Sequence, residues 1–192
     1  MINPKEWLHY EGLGKKPADY DAFWDKGLKE MNVLPNTYTT DPVPIPSHVA
    51  EAFDLYFTGV NGTKIHCQLI RPKHFNPEQT HKGMLLFHGY HTSAGDYQDK
   101  FGWAAEGFVV LAMDARGQGG LSEDVTQTRG DVLKGLMLRG IEEGPDNLYY
   151  RQVYLDLAQT AKILMTMPGW MRQRFMPAAP PKVEVSRLLV RV

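Results

Sequence analysis

Two short polar clusters close two apolar runs in this chain. His88-Gly89-Tyr90-His91 follows Met84–Phe87, and Asp114-Ala115-Arg116-Gly117-Gln118-Gly119 follows Phe108–Met113. Imidazoles, a carboxylate, a guanidinium and loop amides are the groups that move protons or hold developing negative charge. Runs that are apolar throughout suit strands covered by helices on both faces, as in a parallel sheet. Between the runs, Phe101, Trp103, Ala104 and Ala105 fall on one helical face, so Gly83 to Gly120 reads as a βαβ unit. In such sheets function sits on the loops at the carboxyl ends of the strands. Both clusters lie there.

Composition narrows the function classes. The chain has 192 residues, one cysteine and a formal net charge of −1. That length suits one domain with a real core. Near-neutral charge and the lack of a basic block argue against a nucleic-acid partner. No run approaches the roughly 20 apolar residues needed to cross a bilayer. MINPKEWLHY holds no apolar signal core, which favours a cytoplasmic location. Cys67 has no second cysteine to bridge and reads as a small buried side chain. The lysine after Gly14 sits in the wrong spacing for a phosphate loop and follows no strand.

The elements that must position the clusters follow in order. Asp19 is placed to cap a helix over Tyr20–Met31, stopped by Pro35. Thr40 to Pro46 carries three prolines and reads as an extended crossing segment. Phe53, Leu55 and Phe57 alternate with Asp54 and Tyr56, then Ile65, Cys67, Leu69 and Ile70 return after Asn61-Gly62. That is a β-hairpin with a favoured turn dipeptide. Gly119 to Gly144 is a long loop with one helical turn near Val132–Leu138, of the kind that shapes a site or an interface. Asp146 is placed to cap a helix over Leu148–Met167, whose stripe is Tyr149, Val153, Leu157, Ala161 and Leu164.

DAFWDK, FTGVNGTKIHCQLIRPK, HGYHTSAGDY, MDARGQGG, LRGI and YYRQVYLDLAQTAKIL occur in this order. Together they resemble the acetyl xylan esterase / cephalosporin-C deacetylase family, carbohydrate esterase family seven, over Tyr20 to Pro168. The resemblance implies an α/β-hydrolase fold: a three-layer, mostly parallel sheet with an N-terminal β-hairpin. It implies a serine carboxylesterase that deacetylates sugars and cephalosporin C, needs no cofactor or metal, and forms homo-oligomers, commonly hexamers. Within it, the Tyr90 N–H becomes an oxyanion donor, as expected of the loop after an early strand. Arg116, Gly117 and Gln118 match its Arg-Gly-Gln signature and become a structural brace beside the nucleophile loop. His9, His48, His66, His74, His81 and His91 have no placed partner and are assigned surface or packing roles.

The nucleophile is missing from this pattern. A Gly-x-Ser-x-Gly turn between strand and helix should follow the helix ending at Met167, but Ser47, Ser93, Ser122 and Ser186 all lie outside such a turn. The acid and catalytic histidine, expected later still, are absent too. Instead, residues 168–192 turn abruptly rich in Arg and Pro. One permitted back-translation of that stretch, with a single adenine restored in its second codon, reads PEVDAAEVYACGASQGGGLSLACAG. This contains a strand, a Gly-Ala-Ser-Gln-Gly elbow and a helix start. The expectation is therefore a family portion at residues 1–167 and a frameshifted tail at 168–192. The sheet's central position should be empty, with Val183, Val185, Leu188 and Val190 available for a makeshift strand. Two other readings stand beside an inactive esterase descendant. One is a non-catalytic subunit that only associates with intact relatives. The other is an enzyme using Asp114, Arg116 and nearby histidines with a metal, for which no ligand spacing is present.

Overall fold

The computed structural model describes residues 14–129 and 135–178. Its centre is a six-stranded mixed sheet. Strands β1 (Tyr38–Val43), β2 (Ala50–Thr58) and β3 (Lys64–Pro72) form an antiparallel meander. Strands β4 (His81–Phe87), β5 (Phe108–Met113) and β6 (Trp170–Ala178) are mutually parallel, and the sheet order is β1-β2-β3-β5-β4-β6. Every residue of β5 is buried, because β3 and β4 flank it and helices cover both faces. That is why its sequence is apolar without alternation.

The two faces follow strand alternation. One packs Leu55, Ile65, Cys67, Leu85 and Leu111 against α3 (Tyr149–Thr166). The other packs Ile70, Met84 and Val110 against Ala104 of the short α2 (Phe101–Ala105). Trp103, expected on the packed face, is 41% exposed because α2 is little more than one turn long and its register turns that ring outward. Helix α1 (Tyr20–Asn32) lies on the outer side of α3, where Met31 meets Leu155 and Ala158. Helix α3 is thus enclosed between sheet and helix. Its polar Gln152, Asp156, Gln159 and Thr160 are all buried, so each must find a partner inside.

The hairpin turn uses its dipeptide as expected: Asn61 and Gly62 take φ of 60° and 75°, the left-handed region such pairs supply. Neither proposed cap forms. Asp19 makes no side-chain cap bond. A 3-10 turn at Pro145–Asn147 precedes α3 and leaves Leu148 at the cap position. Asp146 is therefore displaced from the helix end and pairs with Lys26. The proline-bearing crossing segment supplies β1. Pro42 is tolerated because β1 is the sheet edge and needs no second ladder there. The long loop holds 3-10 turns at Leu136–Leu138 and Ile141–Glu143; the start of its expected helical turn lies outside the described residues.

One expectation is reversed. The position beside β4 is filled by β6, which begins two residues after Pro168. Strand pairing is a backbone property. The outer edge of β4 presents N–H and C=O groups that any extended segment can satisfy. Residues 183–190, named for a makeshift strand, lie outside the described residues.

Candidate active site

The loops after β4 and β5 meet at the carboxyl ends of their strands, and four hydrogen bonds tie them together. The Ala115 N–H donates to His88 Nε2 at 2.8 Å. The His91 N–H donates to Gln118 Oε1 at 2.7 Å. The Gly119 N–H donates to the Thr92 carbonyl at 3.1 Å. The Ala94 N–H donates to Asp114 Oδ1 at 2.7 Å. The first bond sets the His88 tautomer: Nε2 accepts, so Nδ1 carries the proton and donates to the Gly89 carbonyl at 2.7 Å. Glycine is required by these approaches. A Cβ on Gly119 would sit 3.0 Å from the Thr92 carbonyl oxygen, and one on Gly120 1.9 Å from the Asp114 carboxyl carbon.

Tyr90 stands at the outer end of this pinned loop, 42% exposed, its ring edge-on to His91 at 4.0 Å. Among the described residues its backbone N–H donates to no other protein group. His91 adopts φ of 57°, a left-handed turn that reverses the chain directly after it.

The Arg-Gly-Gln stretch reaches inward. Arg116 is fully buried; its Nε and Nη2 grip the Asp156 carboxylate of α3 at 2.7 and 2.8 Å, and Nη2 also donates to the Val60 carbonyl of the hairpin turn at 3.2 Å. Burial pushes the Asp156 carboxyl up to about 6, with the Arg116 charge and hydrogen bonds pulling the other way. The Tyr149 hydroxyl donates to the Arg116 carbonyl at 2.6 Å and receives Gln118 Nε2 at 3.0 Å. Gln118 therefore links the rim amide of His91 to the body of α3.

Asp114 and His66 form a second anchor that sequence reasoning missed. His66 Nδ1 lies 2.7 Å from Asp114 Oδ2 and Nε2 lies 2.7 Å from Asp54 Oδ1. Asp114 also receives the Leu121 N–H at 3.0 Å. Burial favours the neutral acid, but the bonds from His66, Ala94 and Leu121 outweigh it and hold the Asp114 carboxyl below its usual range. His66 was assigned without a partner; it has two. The signal was the polar stripe Asp54, Tyr56, His66 and Gln68, which shares one face of the hairpin.

The other candidates do not assemble. His48, His74 and His91 are exposed, and His81 stacks on Phe75 at 4.7 Å, away from the rim. His9 lies outside the described residues. Ser47 and Ser93 bond turn amides, and Ser122 is buried between His66 N–H and the Asp114 carbonyl. Among the described residues no serine hydroxyl bonds an imidazole, and no group of three His, Cys, Asp or Glu side chains could hold a metal.

A parallel core extended by an antiparallel meander, with layers of helix on both faces and loops gathered at the carboxyl ends, is a partial α/β-hydrolase fold. The family model described as acetyl xylan esterase (AXE1) matches residues 3–178, and the chain belongs to that family. Acetyl esterase Axe7A of Xylanibacter ruminicola is 25% identical over 167 residues, which is 81% of this chain and 36% of that protein. Acetyl xylan esterase 1 from a Thermoanaerobacterium species superposes with a TM-score of 0.86 at 38% identity, over 93% of this chain and 56% of that one. The acetyl xylan esterase of a Paenibacillus species gives 0.85 at 26% identity, with the same shares. The chain thus spans little more than a third of that curated relative and just over half of each of these solved structures.

Proposed function

We propose that this chain is the front portion of a serine carboxylesterase that removes acetyl groups from sugars, with cephalosporin C as a related substrate. In this reading the rim supplies one oxyanion donor, the Tyr90 N–H, and no attacking group. Ester hydrolysis needs an activated nucleophile and at least one donor aimed at the developing oxyanion. The observation that carries the reading is the Tyr90 amide itself: among the described residues it has no acceptor, and it lies at the strand's carboxyl end on a loop held by four hydrogen bonds. A preorganised donor of this kind is what makes such a site effective. Arg116, Gly117 and Gln118 then act as the brace: they lock the neighbouring loop to α3 and touch no reacting atom.

The same proposal assigns residues 168–192 to a shifted reading frame. The elbow strand of the restored frame would take the place β6 occupies beside β4, and its Gly-Ala-Ser-Gln-Gly turn would bring the nucleophile and the second donor to the rim. As written, the chain lacks the serine, and losing even one donor costs about 10²–10³ in turnover. Purified 192-residue chain is expected to hydrolyse p-nitrophenyl acetate and acetylated xylo-oligosaccharides no faster than buffer. Turnover above that background contradicts the reading. Sequencing the DNA around the Pro168 codon tests the frame: a neighbouring frame without Gly-x-Ser-x-Gly ends that part of the proposal.

A further inference from the structure

Carboxylates enclose the His66 ring on both sides. It stands on β3 with 1% of its surface exposed. Nδ1 faces Asp114 Oδ2 and Nε2 faces Asp54 Oδ1, each at 2.7 Å. Both carboxylates are already engaged as acceptors. Asp54 receives the Tyr97 hydroxyl, and Asp114 receives the Ala94 and Leu121 amides. A neutral imidazole has one N–H and one lone pair, so one nitrogen would confront a carboxylate oxygen lone pair to lone pair. Only the doubly protonated ring offers a donor to each side.

We propose that His66 is an imidazolium in the folded protein and acts as a charged positioning residue: it fixes the Asp114 carboxylate, and through it the Ala94 end of the Tyr90 loop and the turn at Gly120-Leu121. The positioning half rests on the reading of the Tyr90 loop given above. The charge state does not.

Other charged and titratable groups stand on the elements packed around the ring. From β2 come Asp54 and Tyr56, whose ring lies 5.0 Å away. Asp41 of β1 pairs in register with Asp54. From the segment before α2 come Tyr97 and Lys100, whose ammonium donates to the Ala94 and Asp96 carbonyls at 2.5 and 2.7 Å. On β3 itself, Lys64 sits 4.3 Å over the Tyr56 ring. The two carboxylates in direct contact dominate. Burial pulls the ring toward neutrality, but the hydrogen bonds and charges of Asp114 and Asp54 overcome it and raise the imidazole above its usual 6.5. A group raised in the folded state contributes its full stability below its unfolded value of about 6.5, and loses it as pH rises through the raised value. The pin is therefore fully set below about pH 6.5 and withdrawn as pH rises through the raised value.

The test is nitrogen-15 NMR of the histidine rings of the full 192-residue chain from pH 5 to 9, with amide-exchange protection measured alongside. At pH 7 both His66 nitrogens should show the protonated signature, with a titration midpoint above 6.5. Over the same range, protection of the Ala94 and Leu121 amides should fall. Asp54→Asn should move the midpoint down toward 6.5. A ring with one lone-pair nitrogen at pH 7, or a midpoint unmoved in Asp54→Asn, overturns the proposal. If that variant does not fold, the unsubstituted chain still decides, because the ring reports its own charge. A charged His66 with no change in Ala94 or Leu121 protection removes the positioning role. None of these outcomes bears on whether the Tyr90 amide receives an oxyanion, which esterase measurements address separately.

Discussion

Arg116 and Asp156 make a two-pronged contact, Nε to Oδ2 at 2.7 Å and Nη2 to Oδ1 at 2.8 Å, with both side chains sealed from solvent. The pair joins the loop after β5 to α3, and the same guanidinium reaches the hairpin turn at Val60. Three segments distant in sequence therefore share one charged contact. Arg116→Ala would leave the Asp156 carboxylate buried and unpaired, a loss of about 3–5 kcal/mol. Arg116→Lys should recover little, because an ammonium cannot reproduce the fork. Replacing both members with apolar residues should cost less than removing Arg116 alone. Urea midpoints of the three variants check this; a double replacement as costly as Arg116→Ala would contradict it.

Tyr149 and Gln118 link the rim to the helix layer by hydrogen bonds. Tyr149→Phe strips a buried donor from the Arg116 carbonyl and an acceptor from Gln118. The expected cost is about 1–3 kcal/mol. Because the two side chains share a bond, Gln118→Ala combined with Tyr149→Phe should cost less than the sum of the single changes. A coupling near zero in the double-mutant cycle would show that the bond carries no energy.

Two glycines separate packing from backbone entropy. Gly120→Ala would put a methyl 1.9 Å from the Asp114 carboxyl carbon, and that carboxylate is fixed by three partners. Destabilisation of about 2–4 kcal/mol is expected. Gly102 lies in α2 with open space where a Cβ would go. Gly102→Ala should stabilise by about 0.5 kcal/mol. Thermal unfolding of both variants reads the opposite signs directly.

Acid should loosen the same corner. The Asp114 carboxyl is depressed, so its contribution is complete above the unfolded value near 3.8 and disappears as pH falls through the lowered folded value. Asp114→Asn should therefore cost about 2 kcal/mol at pH 6. It should also show a shallower loss of stability below about pH 4. Equal slopes for the two proteins in urea titrations at low pH would mean that Asp114 is not the group responsible.

The hairpin, β5 and α3 were readable because their patterns are local. Alternation over Phe53–Phe57, an unbroken apolar run over Phe108–Met113 and a helical stripe from Tyr149 each need only near neighbours to be recognised. The caps at Asp19 and Asp146 misled for different reasons: Asp19 stands at the cap position, but its backbone (φ −94°, ψ 2°) is not extended as a capping residue's is and its side chain makes no cap bond, whereas Asp146 lies ahead of the cap position held by Leu148. The strand in residues 170–178 was not readable at all: its side chains do not announce it, and the vacant edge of β4 recruits it.

Residue type and order alone determined the family pattern, the apolar strands, the rim loops and the lack of a Gly-x-Ser-x-Gly turn among the 192 residues. Tertiary structure decided what the buried polar residues do. Arg116 is linked with Asp156 across 40 positions, and His66 with Asp114 across 48. Such pairings depend on sheet order and on which face each strand turns inward. No local pattern encodes them, yet a buried charge without its partner is among the costliest errors a fold can contain.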